Sequence, residues 1–128
     1  MLDNINILKI ASSMARHAAQ RHEIISQNIA NADTNGFKAK DLEPFSDAFQ
    51  KTSEQANANG FSNGAANPLP EWRAIEVTSS GVTSPNGNTV SLEDQMMRSV
   101  EAQAAHDSAT TIYKKTVDIL RSSLGRGA

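Results

Sequence analysis

The chain has 128 residues, enough for one domain of ordinary size. Only 38% of them are hydrophobic, and Leu, Ile, Val and Phe together contribute 25, so a large closed core is not expected. The net charge is −2 without a basic run, which argues against nucleic-acid binding through neutralised phosphates. The absence of Cys excludes disulfide scaffolds, zinc knuckles and thiol nucleophiles. No apolar stretch approaches the 18 or so residues of a membrane span, and residues 1–6 lack the basic and apolar segments of a cleavable signal.

The first element is a long amino-terminal helix, predicted over residues 3–31 because this stretch contains neither Gly nor Pro. Asp3 is predicted as its N-cap. Small and apolar residues recur along it at alternating steps of three and four, which is typical of a coiled-coil seam. The members of this N-terminal seam are Leu8, Ala11, Ala15, Ala18, His22, Ile25 and Ile29.

Residues 32–90 form a middle segment that is rich in Gly, Asn and Ser. Turns are predicted at Asn35–Gly36 and at residues 84–88. A short helical turn is possible at 44–49, and residues 52–71 are predicted to be flexible because they hold few large apolar side chains. Ile75 and Val77 alternate with polar neighbours, which indicates a short strand or hairpin.

The last element is a second long helix, predicted over residues 91–124 with Ser91 as its N-cap and an end at Gly125. Met96 and Met97, near its start, are interpreted as packing residues rather than as a binding groove. Its C-terminal seam consists of Ala102, Ala105, Ala109, Ile112, Thr116, Ile119 and Ser123.

These elements predict one mostly α domain spanning residues 1–128, with a coiled-coil-like pair of terminal helices around an irregular middle. Because both seams are rich in Ala, the pair would bury little apolar area in a monomer. Two interpretations remain open. The chain is either a self-contained antiparallel helical hairpin or a protein that completes its fold on joining an assembly.

No catalytic, cofactor or metal site is predicted. His17 and His22 lie about 140° apart around a helix and do not converge on one ion. His22 is interpreted as a polar seam member, and His106 with Asp107 as a solvated surface pair. Arg21 is interpreted as part of a solvated helix face rather than an anion site.

The most distinctive stretch is residues 28–39, which has the features of a helix terminus. Asn31 and Thr34 can bond to the freed backbone groups, and Gly36 can adopt a left-handed conformation. Asn28 and Asn31, in the last helical turns, indicate side-chain bonds that hold the turn. Phe37 can fold back onto the helix.

This stretch resembles the signature of the flagellar rod and hook proteins. In that signature, Asn-(Ile/Leu)-(Ala/Ser)-Asn is followed, after two intervening residues of any type, by Thr-x-Gly-(Phe/Tyr). Residues 38–45 and 87–93 are most similar to the proximal rod subunits of that family. The positions that match the signature are Asn28, Ile29, Ala30, Asn31, Thr34, Gly36 and Phe37.

The resemblance implies a structural subunit of the flagellar basal-body rod, a hollow shaft that crosses the periplasm and transmits motor torque. It implies assembly through the terminal helices, which order on assembly, and export by the flagellar type III apparatus without a cleaved signal. The implied partners are copies of itself, other rod proteins, the ring-to-rod junction protein FliE and the export apparatus, with no nucleic acid and no membrane insertion. A cytosolic helical adaptor or a flagellar export chaperone remains the alternative.

Overall fold

The computed structural model describes residues 2–58, 69–78 and 83–126. Residues 59–68, which belong to the stretch 52–71 predicted to be flexible, and residues 79–82 lie outside the described residues. Three helices and two short strands follow in the order α1 (Leu2–Ala30), β1 (Lys40–Leu42), α2 (Phe45–Ala58), β2 (Ala74–Glu76) and α3 (Leu92–Arg126). The predicted fold class is confirmed, because the two long terminal helices pack against each other and an antiparallel strand pair lies between them in sequence.

The bounds of the terminal helices differ slightly from the predicted ones. Helix α1 begins at Leu2, so Asp3 lies inside the first turn rather than at the N-cap, where its carboxylate still favours the helix dipole. Ser91 caps α3 as predicted, with its Oγ 3.3 Å from the backbone N of Asp94. Helix α3 continues through Gly125 to Arg126, because a single Gly in a helix costs only about 1 kcal/mol relative to Ala.

The contact between α1 and α3 is lined mainly by small side chains spaced seven residues apart. Buried residues of this spacing are Ala11, Ala18 and Ile25 on α1 and Ala102, Ala109 and Thr116 on α3. Seven residues are close to two helical turns, so each set forms one stripe along its helix. Since most members are Ala, the contact buries little apolar area for its length.

The other seam positions are less buried. Leu8, Ala15 and His22 are only half-buried, and Ala105 is exposed. Ile29, Ile112 and Ile119 are 41%, 42% and 56% exposed. The buried stripe therefore contains only part of each predicted seam, because a single pair of helices covers one narrow stripe on each, and the role of the remaining seam positions stays a prediction.

Helix α2 is longer than the predicted turn at 44–49 and extends through residues 52–58, which were expected to be flexible. Its Ala48 and Ala56 are buried, and the side chains of Gln50 and Glu54 bond across one turn at 3.1 Å. Burial of these small side chains stabilises a helix that its local sequence pattern alone would not predict.

The strand predicted around Ile75 and Val77 is confirmed as β2, and its partner β1 was not predicted. The two strands are antiparallel, with Asp41 opposite Ile75. Hydrogen bonds of 2.9 Å from Val77 N to Ala39 O and from Glu43 N to Arg73 O extend the ladder at both ends. A Lys-Asp-Leu sequence carries no strand pattern, so only its tertiary pairing makes it a strand.

His17 belongs to an aromatic cluster rather than to a metal site. Its ring packs edge-on against Phe45 and Trp72, with centroid distances of 5.8 and 5.1 Å, and its Nε2 donates to the carbonyl of Glu43 at 2.7 Å. Across the residues that the structure describes, no group of three or more metal-ligating side chains occurs. None of the described helices is both long and apolar enough to cross a bilayer.

Candidate assembly site

The signature residues lie in a compact polar region where the end of α1 meets the start of α3. We call residues 28–41 together with residues 84–95 the joint. The first part leads out of α1 and into β1, and the second leads into α3. A helix leaves its last four carbonyls without intrahelical partners, so the joint must satisfy these groups as well as connect the elements.

Asn31 satisfies part of this need locally. Its Nδ2 donates to the carbonyl of Gln27 at 2.8 Å, and its Oδ1 accepts from Thr34 Oγ1 at 3.0 Å. The backbone N of Thr34 also donates to the carbonyl of Asn31 at 3.0 Å. The predicted local bonding of Asn31 and Thr34 is therefore what closes the last turn of α1.

Asn88 satisfies the next carbonyls from the other side of the joint. Its Nδ2 lies 2.9, 2.9 and 2.7 Å from the carbonyl oxygens of Asn31, Ala32 and Thr34. Its Oδ1 accepts from the backbone N of Val90 at 2.8 Å, and only 1% of the residue is exposed. One buried amide thus ties the end of α1 to the segment that starts α3, although the two lie more than 50 residues apart.

The side chain of Asn28 pairs with both backbone polar groups of Lys40 in β1, as a neighbouring strand would. Its Nδ2 donates to the carbonyl of Lys40 at 2.7 Å, and its Oδ1 accepts from the backbone N of Lys40 at 3.1 Å. The same Nδ2 donates to Oε1 of Gln95 on α3 at 2.9 Å. Both Asn28 and Gln95 are buried, so the side chain that the motif places here joins α1, β1 and α3.

Two glycines supply a left-handed backbone conformation where the two halves of the joint meet. Gly36 and Gly87 have φ values of 73° and 83°, a region that favours Gly because it has no Cβ. A Cβ built on Gly87 would lie 3.5 Å from the Cα of Gly36, and the N of Gly36 donates to the carbonyl of Asn86 at 2.9 Å. Both turns predicted from the sequence are confirmed.

Thr89 continues the pairing toward β1. Its backbone N donates to the carbonyl of Phe37 at 3.0 Å, and its Oγ1 accepts from the N of Ala39 at 2.9 Å. Lys38 adds a bond from its Nζ to the carbonyl of Gly87 at 2.9 Å. Residues 36–39 and 86–89 therefore run side by side with their polar groups paired.

An ion cluster around the buried carboxylate of Asp41 lies beside these bonds. Arg21 of α1 meets Asp41 of β1 through two bonds of 3.0 and 3.1 Å, and Arg98 of α3 binds the same carboxylate. The cluster extends to Asp94, 2.8 Å from Arg98, and to Glu101, 3.1 Å from Arg21. Because Asp41 is only 5% exposed, its charge needs these partners.

Two opposing effects act on the pKa of Asp41, namely burial and hydrogen bonding to its carboxylate. Burial raises the pKa of a carboxyl group, but the hydrogen bonds from Arg21, from the backbone N of Leu42 and from Arg98 outweigh burial and hold the pKa of Asp41 below its usual value. Asp41 is therefore ionised at neutral pH and binds both guanidinium groups as a carboxylate.

The structure brings together only part of the predicted motif. Asn28, Asn31, Thr34 and Gly36 bond within the joint, and Phe37 is half-buried there. Ile29 and Ala30 are exposed on the last turn of α1, and Ile29 contributes there through its carbonyl, which accepts from the backbone N of Ala32 at 3.2 Å.

Sequence reasoning missed five residues of this region: Arg21, Asp41, Asn88, Gln95 and Arg98. Arg21 was interpreted as a solvated residue, which is wrong, since its side chain is only 19% exposed and pairs with Asp41. A usable signal existed on α1, where Arg21 and Asn28 are seven residues apart and so share a face. No comparable pattern identifies Asp41 or Asn88, because their partners are distant in the sequence.

Comparisons with known proteins bear on this same region. The family model described as "Flagella basal body rod protein" matches residues 8–38, which cover most of α1 and the first half of the joint. A curated relative from Agrobacterium fabrum, named flagellar basal body rod protein FlgB, is 32% identical over 86% of each chain. Relatives of the same name are 29% identical over 99% of this chain and 100% of the relative in Yersinia enterocolitica, and 48% identical over 47% of this chain and 44% of the relative in Yersinia ruckeri. The similarity to the Agrobacterium fabrum relative covers 86% of both chains, and the similarity to the Yersinia enterocolitica relative covers nearly all of both. This chain therefore belongs to the FlgB family of flagellar basal body rod proteins.

Proposed function

We propose that this chain is a structural subunit of the proximal part of the bacterial flagellar rod and that it assembles through its terminal helices. Family membership supports the rod assignment, and no finding favours the adaptor or chaperone interpretation. The relatives are structural rod proteins, and we propose no catalytic activity. The finer points rest on the geometry of the helices and of the joint.

The observation that carries the assembly proposal is the distribution of large apolar side chains on the terminal helices. The α1–α3 contact buries mainly Ala. Larger apolar side chains near the start of α1 and in the second half of α3 are instead 42–66% exposed. Those side chains are Ile5 and Ile7 on α1 and Ile112, Ile119, Tyr113 and Leu124 on α3. Exposed apolar surface of this extent on a small chain indicates a protein interface.

The joint has a different role in this proposal. It holds the end of α1 against the start of α3 through buried, paired polar groups, so the direction of both helices is set before neighbours arrive. The signature residues would then be positioning residues for the helices that make the contacts. Copies of this chain and other rod proteins are the proposed neighbours, with FliE at the base of the rod.

We also propose that the chain reaches the rod through the flagellar export apparatus, without a cleaved signal, and works in the part of the rod that spans the periplasm. A thin, Ala-rich contact supports this route, because a marginally stable subunit costs little free energy to unfold for passage.

The test is mass spectrometry of detergent-purified basal bodies. The chain should be present at several copies per particle, at a fixed ratio to the other rod proteins. Its absence from the particles, with the protein found in the cytosol, would overturn the proposal and favour the adaptor.

A further inference from the structure

The start of α3 carries an apolar patch that the fold leaves uncovered. Its residues were expected to pack, yet Met96 and Met97 are each 66% exposed. We call this group the α3 patch, and it consists of Leu92, Met96, Met97 and Val100, with exposed fractions between 53% and 70%. The side of the helix that bears Gln95 and Ala102 is buried, so the patch faces away from the α1 contact.

The α3 patch has an acidic border. Glu93, Met97 and Val100 follow at steps of four and three and share one face of the helix, and Asp107 lies one further heptad along that face. The carboxylate of Glu101 is 60% exposed beside it. Arg98, beside the patch, is bound to Asp41 and Asp94, and Glu101 is bound to Arg21. The negative charge that the border presents to a partner therefore comes mainly from Glu93 and Asp107.

The other half of α3 presents the complementary surface. Ile112, Lys115 and Ile119 follow at steps of three and four on one exposed face. Lys114 and Arg121 are exposed nearby. The exposed Asp118 lies among these basic residues. From residue 108 onward α3 therefore has four basic side chains against one acidic, whereas residues 92–107 have four acidic side chains against one basic.

We propose that the α3 patch is the docking surface for a basic, apolar carboxyl-terminal helix of a neighbouring rod subunit, of the kind that residues 112–121 present here. Opposite charges around two apolar faces favour this pairing and disfavour the patch meeting a second patch. The two surfaces differ and lie on one helix. Each subunit therefore offers its α3 patch to one neighbour and its carboxyl-terminal surface to another. Contacts of this heterologous kind produce open helical stacks rather than closed pairs.

The inference rests on the proposed function, since it requires neighbouring rod subunits. Its first test places a photo-crosslinking amino acid at position 97 of the full chain, in cells that lack their own copy. After irradiation, the basal bodies are purified and the crosslinked peptides are sequenced. The crosslink should join position 97 to a carboxyl-terminal helix with apolar residues beside Lys or Arg. The same amino acid at Ser108, exposed on α3 but outside the patch, is the control and should not give that product.

The second test is the double substitution Met97→Asp with Val100→Asp. Both side chains are exposed, so the circular dichroism of the purified variant should match that of the parent. Incorporation into basal bodies should fall at least roughly tenfold, the expected result when two central apolar contacts of an interface are lost. Ser108→Asp, which adds one negative charge to the same helix outside the patch, should incorporate normally.

The outcomes separate the two proposals. Undiminished incorporation of the double variant, or a crosslink from position 97 to an acidic segment or to the export apparatus, would overturn the docking inference and leave the rod assignment intact. Absence of the unmodified chain from basal bodies would overturn the rod assignment and this inference with it.

Discussion

The joint and the α1–α3 contact hold the same two helices together by opposite means. In the joint, Asn28, Asp41 and Asn88 are buried and their polar groups are paired with atoms from distant parts of the chain. Along the helices, the buried residues are mainly Ala, and large side chains such as Ile119 remain exposed. Apart from the Nε2 of Gln95, which is buried without a partner, the polar side chains buried in the joint are thus paired within one chain, whereas the helices leave much of their apolar surface for neighbours.

The largest expected effect comes from breaking the ion cluster. Asp41→Ala leaves Arg21 and Arg98 close together without their shared carboxylate, and we expect a loss of about 2–4 kcal/mol in the free energy of unfolding. Glu101→Ala is the matched control, because it removes a carboxylate from the same Arg21 at an exposed position and should cost less than about 1 kcal/mol. Urea denaturation of both variants measures the difference. Equal losses would show that burial of the cluster contributes nothing.

Removing the amide that ties the two segments should have the next largest effect. Asn88→Ala leaves the carbonyl of Ala32 without the amide donor and removes one of two donors from the carbonyls of Asn31 and Thr34, at an expected cost of about 1–3 kcal/mol. Asn35→Ala removes a single bond between exposed side chains and should change stability by a few tenths of that amount. A shift in the urea midpoint no larger for Asn88→Ala than for Asn35→Ala would contradict the role of Asn88.

A substitution at Gly36 tests the effect of backbone conformation without a steric clash of the added Cβ. A Cβ at Gly36 would meet nothing within 4 Å, so the penalty for Gly36→Val comes from its φ of 73° and should be about 1–2 kcal/mol. We expect this variant to be exported but to fail in rod assembly. Gly36→Asn should restore motility, since Asn tolerates the left-handed region. Motile cells carrying Gly36→Val would show that the turn does not need this conformation.

The smallest effect, and the one that compares the two regions directly, is local opening in the free chain. The helices α1, α2 and α3 hold 29, 14 and 35 residues, and we expect the isolated chain to show less helix than this by circular dichroism. Amide hydrogen exchange should be slowest in the joint and fastest beyond residue 112 of α3, where the buried contacts are few. Uniform protection along α3, with a sharp two-state melt, would show that the helices do not need neighbours.

Several features follow from local pattern and were predictable for that reason. The absence of Gly and Pro from residues 3–31 predicts a long helix, and Asn35–Gly36 predicts a turn, because both depend on neighbouring residues alone. The same holds for Ser91 as an N-cap and for Ile75 and Val77 as part of a strand. The signature at 28–37 also identified the family, because it lies within one continuous stretch.

The sequence by itself therefore determined the two terminal helices, the Ser91 cap, the two turns of the joint, and the family of rod proteins to which the chain belongs. Only the tertiary structure decided that Asn88 bonds to the end of α1, that Asp41 joins Arg21 to Arg98, and that Ile112 and Ile119 face outward while Ala109 faces inward. The physical reason is distance along the chain. Helix propensity and turn conformation are local, whereas the partner of a buried polar group and the buried side of a helix depend on which segments meet in space.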